Sequence, residues 1–127
     1  MGDVGQYDIA YCSHALEHLA PHDIDVALQE FHRVLAPGGF LIVVVPNLAK
    51  VKPDNNVVYE SPAGPITGLD MFYGKASLVA KNPYMAHKYG FVRETLTAFM
   101  ERAGFKVRYV ADGNYNLMMT AQRPPAQ

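Results

Sequence analysis

Among the side chains able to do chemistry, three fall within one short run, His14-Ala15-Leu16-Glu17-His18. It reads H-x-x-E-H, the inverted zinc-peptidase signature, in which histidines four apart on one helix face hold a metal and the glutamate serves as base. Its surroundings argue against that geometry, because a strand-like run ends just before it and Pro21 follows within a turn, leaving no room for a long helix. A third ligand on a later helix is not evident either, since Glu94 and Glu101 come without a supporting motif. No metal site is expected. Glu17 and His18 remain candidates for acid-base work toward a substrate. The favoured reading is plainer: a polar pair near a buried turn hydrogen-bonds the backbone of the following loop. His87 follows a long loop and precedes Tyr89, a place from which it either caps a pocket or simply meets solvent. Tyr59, Tyr73 and Tyr84 offer an aromatic lining, against the commoner habit of loop tyrosines to pack locally.

These residues need elements to position them. Tyr7-Asp8-Ile9-Ala10-Tyr11-Cys12 is short and rich in aliphatic and aromatic side chains, as a buried strand is. Ile24, Ala27, Leu28, Phe31, Val34 and Leu35 recur at steps of three and four, which predicts an amphipathic helix starting at His22 or Asp23 and ending near Leu35. Pro37-Gly38-Gly39 is expected to stop it. Phe40 to Val45 is apolar on both faces, the pattern of a strand covered by a layer on each side. Strand, helix and strand form a βαβ unit, so the fold class is α/β.

Residues 47–89 carry Pro53, Pro62, Pro65 and Pro83 and no sustained period, and they read as one long, functional insertion loop. Leu96, Phe99, Met100 and Ala103 restore helical spacing over Arg93 to Ala103, with Gly104 just beyond. Phe105, Val107 and Tyr109, then Asn116 to Ala121, predict an antiparallel hairpin turning at Asp112-Gly113-Asn114.

The 127 residues make one domain at most, short for a complete two-sided α/β enzyme. No window approaches the run of about 18 apolar residues that a membrane helix needs. Eleven lysines and arginines against 12 acidic residues form no block of either sign, so neither nucleic acid nor a membrane surface is expected as partner. The single cysteine, Cys12, excludes an internal disulfide, and the N-terminus lacks a signal-peptide pattern. The expected compartment is the cytoplasm.

The order of pieces from Tyr7 to Pro46 resembles the second half of class I S-adenosylmethionine-dependent methyltransferases, of the type 11-like kind. The likeness rests on the strand leading into Cys12-Ser13-His14, the Leu16-Glu17-His18 turn, and Arg33-Val34-Leu35-Ala36-Pro37-Gly38-Gly39 followed by a buried strand. Ala103-Gly104-Phe105 and the closing hairpin agree with it.

The resemblance implies a partial Rossmann-like sheet, two parallel strands plus a C-terminal antiparallel hairpin, with helices and without the N-terminal glycine-rich half. Gly2-Asp3-Val4-Gly5 cannot stand in for that half's glycine turn, having no strand before it and no helix after it. The resemblance implies S-adenosyl-L-methionine as cofactor, with Cys12, Ser13 and His14 toward its methionyl end. Asp70, Tyr73 and His87 are the candidates for touching a small-molecule acceptor, and His18 and His87 for catalysis. Activity is expected to need the missing half. The alternative is a non-catalytic remnant acting as a binding or oligomerisation module. In either case the first strand would present an apolar edge that a second copy, as a homodimer, or a partner chain would cover.

Overall fold

A computed structural model of the chain describes residues 7–82, 85–113 and 115–125. Gly2-Asp3-Val4-Gly5, Tyr84 and Asn114, singled out above, lie outside the described residues.

Strand β1 (Tyr7–Ser13) runs into a 3-10 turn at Leu16–His18 and then helix α1 (Pro21–Val34). The helix starts earlier than expected, because proline at the first helical position gives up an N–H that has no partner there anyway. Its inner face buries Ile24 and Leu28 completely.

Pro37-Gly38-Gly39 does not stop this helix. Helical geometry ends at Val34, Leu35 is already extended, and the Arg123 guanidinium donates to the carbonyl oxygens of His32 and Leu35, which the helix leaves without partners. Strand β2 therefore begins at Leu35 and runs to Pro46, longer than the expected Phe40 to Val45. The proline and glycines form an irregularity within it: Tyr7 pairs with Leu35, yet Ile9 pairs with Phe40. Gly38, at φ 84°, takes a conformation that a side chain would make costly.

The four-stranded sheet has the order β1-β2-β6-β5, with β1 parallel to β2, and β6 (Asn116–Gln122) antiparallel to both β2 and β5 (Lys106–Asp112). The expected hairpin thus forms and inserts its second strand beside β2. Leu41, Val43 and Val45 of β2 and Leu117, Met119 and Ala121 of β6 are fully buried in one cluster with Ile24 and Leu28 of α1 and Leu96 and Met100 of the second long helix. That helix, Arg93–Arg102, is tied to α1 by the Arg102–Asp25 ion pair at 2.9 Å and ends before Gly104, as expected.

Only one face of the sheet is covered by helices among the described residues, against the two expected. On the other, Ile9 and Tyr11, whose register partners are Phe40 and Ile42, are 63% and 64% exposed. Among the described residues β1 is also an edge strand, paired with β2 alone.

Residues 47–90 are not the plain loop expected. After a 3-10 turn at Leu48–Lys50 they form an antiparallel pair, β3 (Val57–Ser61) and β4 (Gly64–Thr67), then two short helices, α2 (Gly68–Tyr73) and α3 (Ala76–Lys81), so that Arg93–Arg102 is α4. Thr67 and Asp70 close a capping box that starts α2: the Thr67 hydroxyl accepts from the Asp70 N–H, and the Asp70 carboxylate accepts from the Thr67 N–H. Val51, Ile66 and Met71 make a small core of this segment's own. Among the described residues no helix is long and apolar enough to cross a membrane.

Candidate active site

Ligands of parallel α/β sheets sit beyond the carboxyl ends of the strands. Here β1 ends at Ser13 and β2 at Pro46, and the 47–90 segment folds over that end as a cap. A cleft of about 190 Å³ lies between them. His14, Glu17, His18 and Pro46 line it from the sheet side; Tyr59, Asp70, Lys75 and His87 line it from the cap.

His14 takes φ 53°, uncommon for a residue with a side chain, and its N–H donates to the Val44 carbonyl at 2.8 Å. The chain turns sharply there, out of the strand and into the cleft wall. Its Nδ1 stands 3.6 Å from Glu17 Oε2, and that carboxylate pushes the imidazole pKa up. Glu17 is 2% exposed, and its Oε1 has no hydrogen-bond partner among the described residues. Its backbone carbonyl accepts from the N–H groups of Lys88 and Tyr89 at 2.7 and 3.2 Å, which holds the turn against the end of the cap.

His18 and His87 approach edge to face, with ring centroids 4.8 Å apart. His18 Nδ1 lies 3.2 Å from the Ala86 carbonyl oxygen and His87 Nδ1 lies 3.0 Å from that of Met71. A carbonyl only accepts, so each ring in its neutral form carries its proton on Nδ1 and leaves Nε2 as a lone pair. Burial pushes the His87 pKa down and favours its neutral form.

The sequence-predicted residues separate in space. His14, His18, His87 and Asp70 meet at the cleft. Asp70 also carries the capping box, and its second carboxylate oxygen accepts from the Ala76 N–H. Cys12 and Ser13 are not among the lining residues; Cys12 is buried, and burial, followed by the Glu17 charge, raises its thiol pKa, the reverse of an activated thiol. Tyr73 is 65% exposed and lies instead in a shallower groove with Lys88 and Tyr89. Tyr59 does line the cleft, stacked on Tyr115 at 4.6 Å, and burial raises its phenol pKa. The peptidase geometry is absent among the described residues: His14 precedes a single 3-10 turn and His18 ends it, rather than the two sharing a long helix.

Lys75, in the cleft lining, has no signal in the sequence, and Asn47 and Tyr115, outside the lining, likewise went unread there. Asn47 is fully buried, donates from Nδ2 to Asp112 Oδ1 at 2.5 Å and to the Gly113 carbonyl at 2.9 Å, and accepts from the Ala49 N–H. A polar residue directly after a fully apolar strand was its signal. Tyr115 had none, since its partner Tyr59 is distant in sequence.

A family model described as a methyltransferase domain matches residues 3–110, and the chain belongs to that family. Among curated proteins none matches the chain. Solved structures share its fold. An S-adenosylmethionine-dependent methyltransferase from Mesorhizobium loti aligns over 94% of this chain and 64% of its own, with TM-score 0.66 and 18% identity. The 1,6-didemethyltoxoflavin-N1-methyltransferase of Burkholderia thailandensis, solved with 1,6-didemethyltoxoflavin and S-adenosylhomocysteine, aligns over 98% of this chain and 47% of its own, with TM-score 0.62 and 17% identity. The cyclase SpnF aligns over 98% and 52%, with TM-score 0.60 and 15% identity. The chain spans between about half and two thirds of the length of these structures.

The donor that the resemblance implies is S-adenosylmethionine. A glycine turn that opens a helix and lets a ligand approach the backbone would be needed. Gly68 does open α2 after β4, but a side-chain carbon there would collide with the Lys52 carbonyl, so its open face is filled by the chain itself.

Proposed function

We propose that this chain is the acceptor-side part of a class I S-adenosylmethionine-dependent methyltransferase, transferring a methyl group to a small molecule held in the cleft. The donor is gripped jointly with a glycine-rich half supplied from outside these 127 residues. One observation carries the reading: in a chain of the methyltransferase-domain family, the cleft opens at the carboxyl ends of parallel β1 and β2, directly beside an unpaired sheet edge. Transfer from a sulfonium is an in-line displacement, so the protein chiefly aligns donor and acceptor and removes a proton where the acceptor is an alcohol or amine. The free Nε2 positions of His18 and His87 suit that removal.

Calorimetry with S-adenosylmethionine and S-adenosylhomocysteine tests this. The chain alone should show no micromolar binding, and the chain completed by a family glycine-rich half should bind. Tight binding by the chain alone would refute the shared cradle; no binding by the completed protein would refute the donor.

A second reading, an association module without transfer, is favoured by the exposed Ile9 and Tyr11 on an edge strand. Both readings predict that β1 is covered by a second copy, as a homodimer, or by a partner chain. Sedimentation over a wide concentration range checks the homodimer. The fold alone does not choose between the readings, because a cyclase shares it.

A further inference from the structure

Glu17, His18 and His87 each bring a ligand-type atom to one place, and these atoms lie within 4.8 Å of one another. Two come from the 3-10 turn after β1 and the third from the far end of the cap, so the convergence is made by the tertiary fold rather than by neighbouring sequence.

Two features of the surroundings favour a cation at this point. First, both imidazoles are held through Nδ1 by backbone carbonyls, of Ala86 and of Met71. Metal-bound histidines are held in this way: the outer N–H is fixed by an acceptor, which sets the tautomer and leaves the Nε2 lone pair for the ion. Second, Glu17 is all but completely buried, and one of its carboxylate oxygens has no hydrogen-bond partner among the described residues. A buried acceptor left unsatisfied destabilises a fold unless something answers it. Water or a neighbouring donor would answer one oxygen; two imidazoles that also bring a ligand-type atom within 4.8 Å make a positive ion a fitting occupant.

We propose that Glu17, His18 and His87 form a binding site for a divalent first-row metal ion of the zinc, cobalt or manganese class, at the wall of the cleft. Two imidazoles and one carboxylate are the donor set of such ions rather than of calcium or magnesium, which prefer oxygen throughout. Around one tetrahedral ion, nitrogen and oxygen ligands stand roughly 3.5 Å apart, so the ion draws this group together by about 1 Å. Three protein ligands leave a coordination position open, as reactive rather than purely structural sites do. His14, whose Nδ1 faces the other oxygen of Glu17, orients the carboxylate from the solvent side. The H-x-x-E-H run thus contributes its last two residues to a site that the peptidase geometry would have built differently. The site uses the same two imidazoles that the methyltransferase reading offers for proton removal; with an ion bound they would hold it instead, and an acceptor with an oxygen or nitrogen donor would bind the ion at the open position.

The test uses the untagged 127-residue protein, stripped with a chelator and titrated separately with zinc, cobalt, manganese and magnesium, without S-adenosylmethionine. One zinc per chain is expected with micromolar or tighter affinity, together with a rise in melting temperature. Cobalt should give visible bands of a nitrogen and oxygen site, without thiolate charge transfer from Cys12. Glu17→Gln and His87→Ala should each weaken zinc binding at least about tenfold, as even outer-shell changes do. Circular dichroism confirms that each variant folds, and His22→Ala, at an exposed histidine outside the group, should bind as the parent does. Absence of zinc, cobalt and manganese binding to the parent protein overturns the site, as does a cobalt-thiolate band or zinc affinity unchanged from the parent in both ligand variants. Since no methyl donor is present, failure here is distinct from failure of the methyltransferase reading.

Discussion

The sheet with its two long helices and the 47–90 cap are built on different principles. In the sheet body, side chains from both ends of the sequence, Leu16 and Ile24 with Met119 and Ala121, share one closed apolar cluster. The cap has Val51, Ile66 and Met71 as its buried core and is otherwise organised by hydrogen bonds, such as the Thr67–Asp70 box and the Lys75 ammonium on the Pro65 carbonyl. Local stability follows apolar contact density, so the cap belongs to the part of the molecule that opens first. The cleft joins the two: Glu17 and His18 stand on the body, His87 on the cap. A site assembled across such a seam is complete only when the cap is closed.

The sharpest way to break the comparison is at the anchor of the cap. Phe91 is 1% exposed, packs edge to face on Tyr89 and Phe99, and forms a backbone bridge with Asn47. Phe91→Ala should cost about 3–5 kcal/mol in urea unfolding, because the cavity opens within the body's cluster. A loss below about 1 kcal/mol would show that the end of the cap is not part of that core.

Next in size is Asn47→Ala, which removes two donated bonds and one accepted bond from a buried position. The expected cost is about 1–3 kcal/mol. Hydrogen exchange should quicken at Ala49 and at the tip of the β5–β6 hairpin, while the amides of α1 keep their protection. Uniform quickening over the whole chain would mean that body and cap open as one unit.

The same contrast explains what could be read in advance. The body was legible because its signals are local and periodic: the three-four spacing from Ile24 to Val34, the apolar run of β2, and Gly104 after α4. Pro37-Gly38-Gly39 is the exception, because these breaker residues suggest a helix stop while the strand absorbs them as an irregularity in its register. The cap was legible only in part. Its helices have six residues each, too few to show a period, although Thr67-Gly68-Leu69-Asp70 carried a capping signature that went unread. Within the site, Glu17 and His18 stood out by type and spacing, and His87 by its place after the loop. That His18 and His87 touch depends on how the cap folds back, and no local pattern encodes it. The backbone role expected of the two side chains is met by His18 alone, whose partner is the far end of the cap and not the loop that follows, whereas Glu17 meets that backbone through its own main-chain carbonyl.

A smaller effect should stay inside the cap. Thr67→Ala removes the hydroxyl that accepts from the Asp70 N–H, at a cost of about 1 kcal/mol. Faster exchange should appear within α2, with little movement of the global urea midpoint. A midpoint shift of the full cost would place α2 inside the body's cooperative unit instead.

The smallest effect separates the two regions by pH. His32 lies in the body, edge to face with Phe105 at 5.1 Å, and burial, followed by the nearby Arg123 charge, lowers its pKa from the ordinary 6.5. Because the folded pKa is depressed, the unfolded chain takes up this proton first as pH falls. The stability that the neutral ring contributes is present above about 6.5 and is lost as pH drops from there through the folded value. Urea midpoints measured stepwise from neutral toward acid should therefore decline, and His32→Gln should flatten part of that decline. If the slope is unchanged in the variant, the proton uptake belongs to His87, whose pKa burial also lowers, and the seam rather than the body sets the acid sensitivity of the fold.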